Sequence, residues 1–319
     1  MKSRITTPTD NPPIKHKHSL IHRLIGQWDI QIMIIPGVLL VLIFAYLPMY
    51  GSLMAFQDFN LFKGFFHSPL VGTKHFEMFF HSPKFWEIMR NTLVISGLKL
   101  LIIFPAPIVL ALMLNEVRNI VFKRVVQTIS YLPFFLSWVV VAGFVGSMLS
   151  IDNGTVNYVL QSLNFIDEPI NWLSNKSLFW GILVSVNLWK GIGFSSIVYL
   201  AAIAGIDPHL YEAAGMDGAT RFKQIYLVTL PSIMPVIVIF LILEIGNVLN
   251  AGFEDILLLA RNPVLRDVSE VIDTHVYRMG LGLSRYSYAA AVGLFKAIIS
   301  VSLLTIANTL GRRAGKSLW

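Results

Sequence analysis

The sequence predicts an all-α, polytopic membrane protein with six transmembrane helices. Three observations predict it. Hydrophobic residues make up 55% of the 319 positions and charged residues only 13%, about half the roughly 25% of an ordinary soluble domain. The apolar residues fall in several runs of about 20, the length that crosses roughly 30 Å of hydrocarbon. Basic residues gather in short clusters at the ends of those runs, as the positive-inside rule expects. The net charge of +7 is therefore read as membrane topology, with lipid as the surroundings and no nucleic-acid partner. The chain has no cysteine, so disulfide frameworks and thiolate metal sites are excluded.

In chain order, residues 1–28 are basic and polar, carry Pro8, Pro12 and Pro13, and lack a short apolar core with a small-residue cleavage site. They read as a cytoplasmic tail, not a removed signal peptide. His16 and His18 inside it are too weak a pattern for a metal site. The first span covers Ile30 to Tyr50, after Trp28 as interfacial anchor. Together with an aromatic-rich external segment it accounts for residues 29–88. That segment is either an interfacial cap or part of a docking surface for an extracellular partner. Residues 89–310 form the main transmembrane domain, and 311–319 a second cytoplasmic tail. Its spans run from Asn91 to Leu114 (with Pro105 and Pro107), Val125 to Leu149, Leu178 to Ala204, Ser232 to Asn250 and Tyr286 to Leu310. In the last of these Ala289, Ala290, Ala291 and Gly293 suit close helix approach. Arg118, Lys123 and Arg124 in one short loop, with Arg312, Arg313 and Lys316 at the end, place both termini in the cytoplasm.

Between the fourth and fifth spans the chain is built stiff. Asp207 before Pro208 reads as a helix N-cap with proline at the first helical position. A short helix to Met216 then meets the turn signal Asp217-Gly218, where glycine supplies a conformation other residues avoid. From Ala219 onward Phe222, Ile225, Tyr226 and Thr229 recur at helical spacing. Pro231 is expected to begin the next element. Asp217 is a candidate N-cap for the second helix.

Glu212-Ala213-Ala214, Asp217-Gly218-Ala219 and Leu230-Pro231 together resemble the EAA loop of bacterial ABC importer permeases. The departures are mild: Ile225 stands where an aromatic is common and Val228 where isoleucine is common. The resemblance implies a type I importer permease with a cytoplasmic EAA coupling loop in the inner membrane. Glu212, Ala213, Ala214, Gly215, Asp217, Gly218 and Ala219 would then dock in a cleft of an ATP-hydrolysing partner. Small side chains would allow close approach, and Glu212 is either a solvated helix charge or the partner of a basic residue. The implied assembly has a second, homologous permease, two ATP-binding subunits and an extracytoplasmic solute-binding protein. The chain shows no glycine-lysine phosphate loop, so it is expected to hold no cofactor and to be no enzyme, with ATP and Mg bound by the partner ATPase.

Segments outside the loop, including Phe56 to Asn60, Lys74-His75-Phe76 and Arg261 to Leu265, are similar to permeases of oligosaccharide and polysaccharide uptake. That likeness implies a carbohydrate cargo, an acidic polysaccharide such as alginate among the candidates. Carbohydrate sites combine aromatic faces with amides or carboxylates, and ionisable groups inside a membrane default to functional hypotheses. The candidate path residues are accordingly Tyr46, Tyr50, Asn187, Trp189, Glu244, Asn247, Asn250 and Lys296. Glu244, Asn247 and Asn250 either line the path or bond between helices. Lys99, Lys190 and Lys296 either face an acidic sugar or snorkel and pair with carboxylates. A gradient-driven secondary transporter is the competing class, but it calls for internal repeats and several buried acids. A membrane-embedded enzyme would need paired carboxylates or metal-ligand spacing, which Glu254-Asp255 and Asp267 to Asp273 do not offer.

Overall fold

A computed structural model describes residues 28–313, 315 and 318. The N-terminal tail through residue 27, with His16 and His18, and Lys316 in the second tail lie outside the described residues. The described residues are helical throughout, apart from loops and one isolated antiparallel bridge between Gln57 and Leu70. The chain divides after Ser52 into two compact units.

The first unit is carried by helix α1 (Gln31–Phe56) as far as Ser52, the last four residues of the helix falling in the second unit; none of the residues of its apolar window is buried. The second unit takes in residues 53–88, which the sequence grouped with the first span. Its opening part is a loop and the short α2 (Lys74–Phe80). Then come α3 (Phe85–Glu116), α4 (Ile120–Phe135), α5 (Trp138–Met148), the short α6 (Thr155–Ser162) and α7 (Lys176–Ala204). Helix α8 (Pro208–Met216) leads to α9 (Arg221–Gly246). Three short helices, α10 (Glu254–Leu259), α11 (Arg266–Ser269) and α12 (Ile272–Tyr277), precede the long α13 (Tyr286–Arg313). Among the described residues five helices are long and apolar enough to cross a membrane, and α4 with α5 makes a sixth if that bent pair crosses as one span.

Prolines explain much of the helix geometry. Pro48, Pro105 and Pro231 each follow, by two residues, a five-residue π-helical turn: Leu42–Tyr46, Lys99–Ile103 and Ile225–Thr229. Proline lacks the N–H for an i→i−4 bond and its ring crowds that carbonyl. A turn widened to i→i−5 bonding, as from Phe104 N–H to the Lys99 carbonyl at 3.1 Å, carries the helix past the obstacle without breaking it. Pro231 therefore does not begin a new element, contrary to expectation: α9 runs through it from Arg221 to Gly246.

The third span departs from the sequence reading too. A single helix from Val125 to Leu149 is expected, yet α4 and α5 meet at 104°. Pro133 tightens the end of α4, Leu136 is extended, and the Ser137 side chain restarts the helix by accepting from the Val140 N–H. The fifth span ends early, at Gly246. Asn247 closes the helix and Asn250 lies beyond it, so the three-residue spacing with Glu244 is not a helical stripe.

Two helix–helix contacts close through glycine. A Cβ at Gly193 would lie 2.1 Å from the Ser130 carbonyl oxygen, so its absence brings the backbones of α7 and α4 together. One at Gly246 would lie 2.9 Å from Leu304, which lets α9 and α13 close up. In α13, Ala289 and Ala291 are buried, with Gly280 against Ala289, whereas Gly293 faces open space. The core has three parts. Ile108, Ala111, Tyr199, Ile203 and Ile233 join α3, α7 and α9 near α8. Ile95, Val141, Phe179, Leu183 and Ile256 join α3, α5, α7 and α10 toward the other end. Phe79, Ile88, Ile272, Tyr288 and Val292 fasten α2 and α12 between α3 and α13.

Candidate functional site

Two features have functional character: a projecting helix at one end of the second unit, and a largely apolar cavity with a few polar groups between its long helices. Helix α8 is capped as its sequence requires, the Asp207 carboxylate accepting from the His209 N–H at 3.0 Å. Asp217 closes its C-terminus, and Gly218 follows with φ +74°. The Ala219 N–H returns to the Ala214 carbonyl at 2.9 Å, a glycine-based helix stop. Thr220, not Asp217, stands at the N-terminus of α9, so Asp217 serves the first helix and not the second. The Tyr211 and Thr229 hydroxyls bond at 3.0 Å and tie α8 to the π turn of α9. Arg221 meets Glu116 at 3.0 Å, which ties α9 to the end of α3.

No residue of α8 is buried. Glu212 faces outward with a 3.3 Å contact to His209 one turn earlier. Ala213 and Gly215 are exposed, Ala214 and Ala219 half-buried, and Met216 and Phe222 are 90% and 87% exposed. A stiff helix with small residues, one carboxylate and large exposed apolar side chains is a surface shaped to be covered.

The cavity measures about 430 Å³, within the usual range for small-molecule sites. Lys99, Asn187, Ser195 and Glu244 supply its polar groups; Phe104, Phe194, Tyr199 and Phe240 supply aromatic ones. Lys99 and Asn187 converge on one carboxylate outside that lining. Asp255 Oδ2 accepts from Lys99 Nζ at 2.6 Å and from Asn187 Nδ2 at 3.0 Å, and Lys99 also donates to the Ala251 carbonyl at 2.7 Å. Asp255 is buried, so its charge is tolerated only because it is paired and hydrogen-bonded. Gly252 makes room, at φ +125°: a Cβ there would sit 2.4 Å from Asp255 and 2.8 Å from Lys99.

Of the path residues inferred from sequence, the structure brings Asn187 and Glu244 together in this cavity. Trp189 stacks on Phe144, with ring centroids 6.3 Å apart. Asn247 bonds the Leu243 carbonyl and accepts from Asn250 at 2.8 Å, at the end of α9. Lys296 pairs with Asp273. Tyr46 and Tyr50 belong to the first unit, both exposed. Lys190 points at the Phe134 carbonyl at 2.8 Å and lies over the Phe134 and Trp138 rings. Two of the three span lysines thus pair with carboxylates.

Sequence reasoning missed a buried hub against α3 and α13. Glu270, 2% exposed, accepts from His275 Nδ1 at 2.9 Å and pairs with Arg278 at 2.7 Å; His275 Nε2 meets the Tyr288 hydroxyl at 3.1 Å. Asn91 donates to the carbonyls of Asp267 and Glu270. Burial pushes the Glu270 carboxyl up, but the His275 hydrogen bond and the charges of Arg278 and Lys84 outweigh it and hold it below its ordinary value. Asn91 and Lys84 reach this hub from far away in the sequence. Only the occurrence of Glu270, His275 and Arg278 in one short stretch hinted at it.

The profile of the family described as "binding-protein-dependent transport system inner membrane component" matches residues 103–316. The polygalacturonan/rhamnogalacturonan transport system permease protein YteP of Bacillus subtilis (strain 168) is 45% identical over 95% of this chain and 93% of its own. Protein LplB of the same organism is 43% identical over 89% and 88%. Among solved structures, a bacterial alginate ABC transporter in complex with alginate pentasaccharide-bound periplasmic protein superposes with a TM-score of 0.86. It is 42% identical, and the match covers 93% of this chain and 99% of that one.

Proposed function

The chain belongs to the family of binding-protein-dependent transport system inner membrane components and is a multi-pass permease subunit of an ABC importer; from that premise we propose that its cargo is an acidic oligosaccharide and that α8 is where ATP hydrolysis acts on it. Both termini then lie in the cytoplasm, on the side of α8. A solute-binding protein delivers the cargo from outside, and a second homologous permease completes the path. Two ATPase subunits bind ATP and Mg. The cavity around Lys99, Asn187 and Glu244 is this chain's share of the path, its aromatic side chains offering faces for sugar rings.

The observation that carries the reading is the exposed, capped helix α8, locked at Gly218 and tied to α9 through Tyr211 and Thr229. A floppy loop would absorb a push; this one passes it to α9, which lines the cavity with Phe240 and Glu244. ATP binding moves the permease between inward- and outward-facing arrangements only if the ATPase holds α8 differently in each. The cargo class is supported by the uronate-rich polymers named for YteP and the alginate transporter.

The test is to purify the chain from its native membrane and ask whether an ATPase subunit travels with it. Glu212→Ala with Gly218→Val is then expected to lower ATP-driven uptake of an acidic oligosaccharide more than tenfold. Undiminished uptake with the ATPase still attached would exclude α8 as the coupling element. Uptake of neutral but not acidic oligosaccharides would exclude the cargo class.

A further inference from the structure

A second cavity, of about 530 Å³, lies at the end of the second unit opposite α8, where α5 ends and α7 begins. One wall is a face of α5 formed by Ala142, Gly143, Gly146 and Ser147; Leu173, Leu258 and Leu259 add apolar surface. Cβ atoms at Gly143 and Gly146 would meet nothing within 4 Å, so these glycines keep the wall flat and the space open. The polar lining is Ser147, Ser150, Ser174, Asn262 and Arg261, and it contains no carboxylate. Asn262 is fixed: its amide donates to Ser174 at 2.7 Å and its carbonyl accepts from the Val264 N–H at 3.0 Å. That clamp holds the neighbouring Arg261 at the rim. Among the described residues Arg261 has no hydrogen-bond or ion-pair partner, whereas Lys99, Lys176, Lys296 and Arg278 each have a carboxylate.

We propose that this cavity is an anion-selective subsite that receives the carboxylate of an acidic sugar at the outer mouth of the path, with Arg261 as its charged donor. The inference rests on the carbohydrate reading above and deepens it. A guanidinium grips a planar carboxylate through two parallel N–H bonds. The hydroxyls of Ser147 and Ser150 offer donors and acceptors for sugar hydroxyls, and the flat leucine-backed wall suits the apolar face of a ring. The same guanidinium would take the phosphate of an anionic lipid headgroup, so the test separates the two sources.

The complete transporter, with its companion permease, ATPase and binding protein, is reconstituted in nanodiscs of purely zwitterionic lipid and in others containing phosphatidylglycerol. Cargo-stimulated ATP hydrolysis is measured with a pentagalacturonate and with its methyl ester. Arg261→Gln is expected to raise the half-saturating concentration of the acid about tenfold, the loss of roughly one charge-assisted bond, and to leave the ester unchanged. Arg261→Lys recovers part of the loss, and the lipid makes no difference. An equal shift for acid and ester, or no shift, overturns the subsite while leaving the carbohydrate reading intact. An effect confined to phosphatidylglycerol discs assigns the cavity to lipid and overturns it as well. No response of the unaltered transporter to either saccharide overturns the carbohydrate reading, and this inference with it.

Discussion

Gly252 permits the Lys99–Asp255 pair, because any side chain there would collide with both partners and be forced into a positive φ. Gly252→Ala is expected to cost about 1–3 kcal/mol through that strain. Asp255→Ala leaves Lys99 without its counter-charge. Both changes act on one pair, so the double variant should lose less than the two single losses combined. Thermal unfolding in detergent measures all three, and strict additivity would deny that Gly252 acts through the pair. Glu270 makes a second prediction at this scale. Its folded carboxyl titrates below the ordinary value of 4.5, so the stability it contributes is complete above that value and is lost as the pH falls through the lower folded value. Wild type and Glu270→Gln should therefore differ most near neutral pH and converge only as the pH falls through the lowered folded value. A gap that stays constant down the acid limb would rule out this linkage.

At the scale of elements, the path from α8 to the cavity depends on one side-chain bond and one widened turn. Thr229→Val keeps the shape of the side chain but removes the hydroxyl that Tyr211 meets, at a cost of about 0.5–1.5 kcal/mol. That loss is too small to unfold the protein but large enough to loosen α8. The ratio of sugar imported to ATP hydrolysed should fall, with Tyr211→Phe giving the same result. If both variants keep the wild-type ratio, α8 does not act through this bond. Two element-level errors of sequence reading turn on proline, in opposite senses: Pro231 reads as a boundary and is not one, whereas the third span reads straight through Pro133, where the chain breaks. At Pro231 a π turn absorbs the proline, while at Pro133 an extended Leu136 and the Ser137 cap turn the chain by 104°. Which outcome follows depends on the packing around each proline, and at α4 that includes the backbone approach through Gly193.

Over the whole molecule, topology can be tested directly because the chain lacks cysteine. Phe62→Cys and Arg118→Cys both place a thiol at an exposed position. An impermeant maleimide added to intact cells should label the first and reach the second only after the membrane is opened. The reverse pattern would invert the proposed orientation. Beyond α1, residues 251–285 build the end opposite α8: α10, α11 and α12 fold back on α3, α7 and α13, held by the Asn91, Trp180 and Lys176 contacts to residues 267–270. A plain connector would have left Asp255 and Glu270 in water.

Chain composition and local chemistry were enough for the membrane class, the number of apolar segments and the stiff loop from Asp207 to Ala219. Apolar length, an Asp-Pro cap and an Asp-Gly stop act between near neighbours, so their consequences can be read along the chain. Even where the boundary of the fifth span was misjudged, its existence was not. The partners of charged groups are a different matter. Lys99 finds Asp255 across 156 residues, and Asn91 reaches Glu270 across 179. The cavity that joins Asn187 with Glu244, and the one that leaves Arg261 without a carboxylate, exist only where separate helices meet. A buried charge must be paired, but the sequence does not say with what. Only the packed helices settle that, because the pairing depends on which faces they turn toward one another.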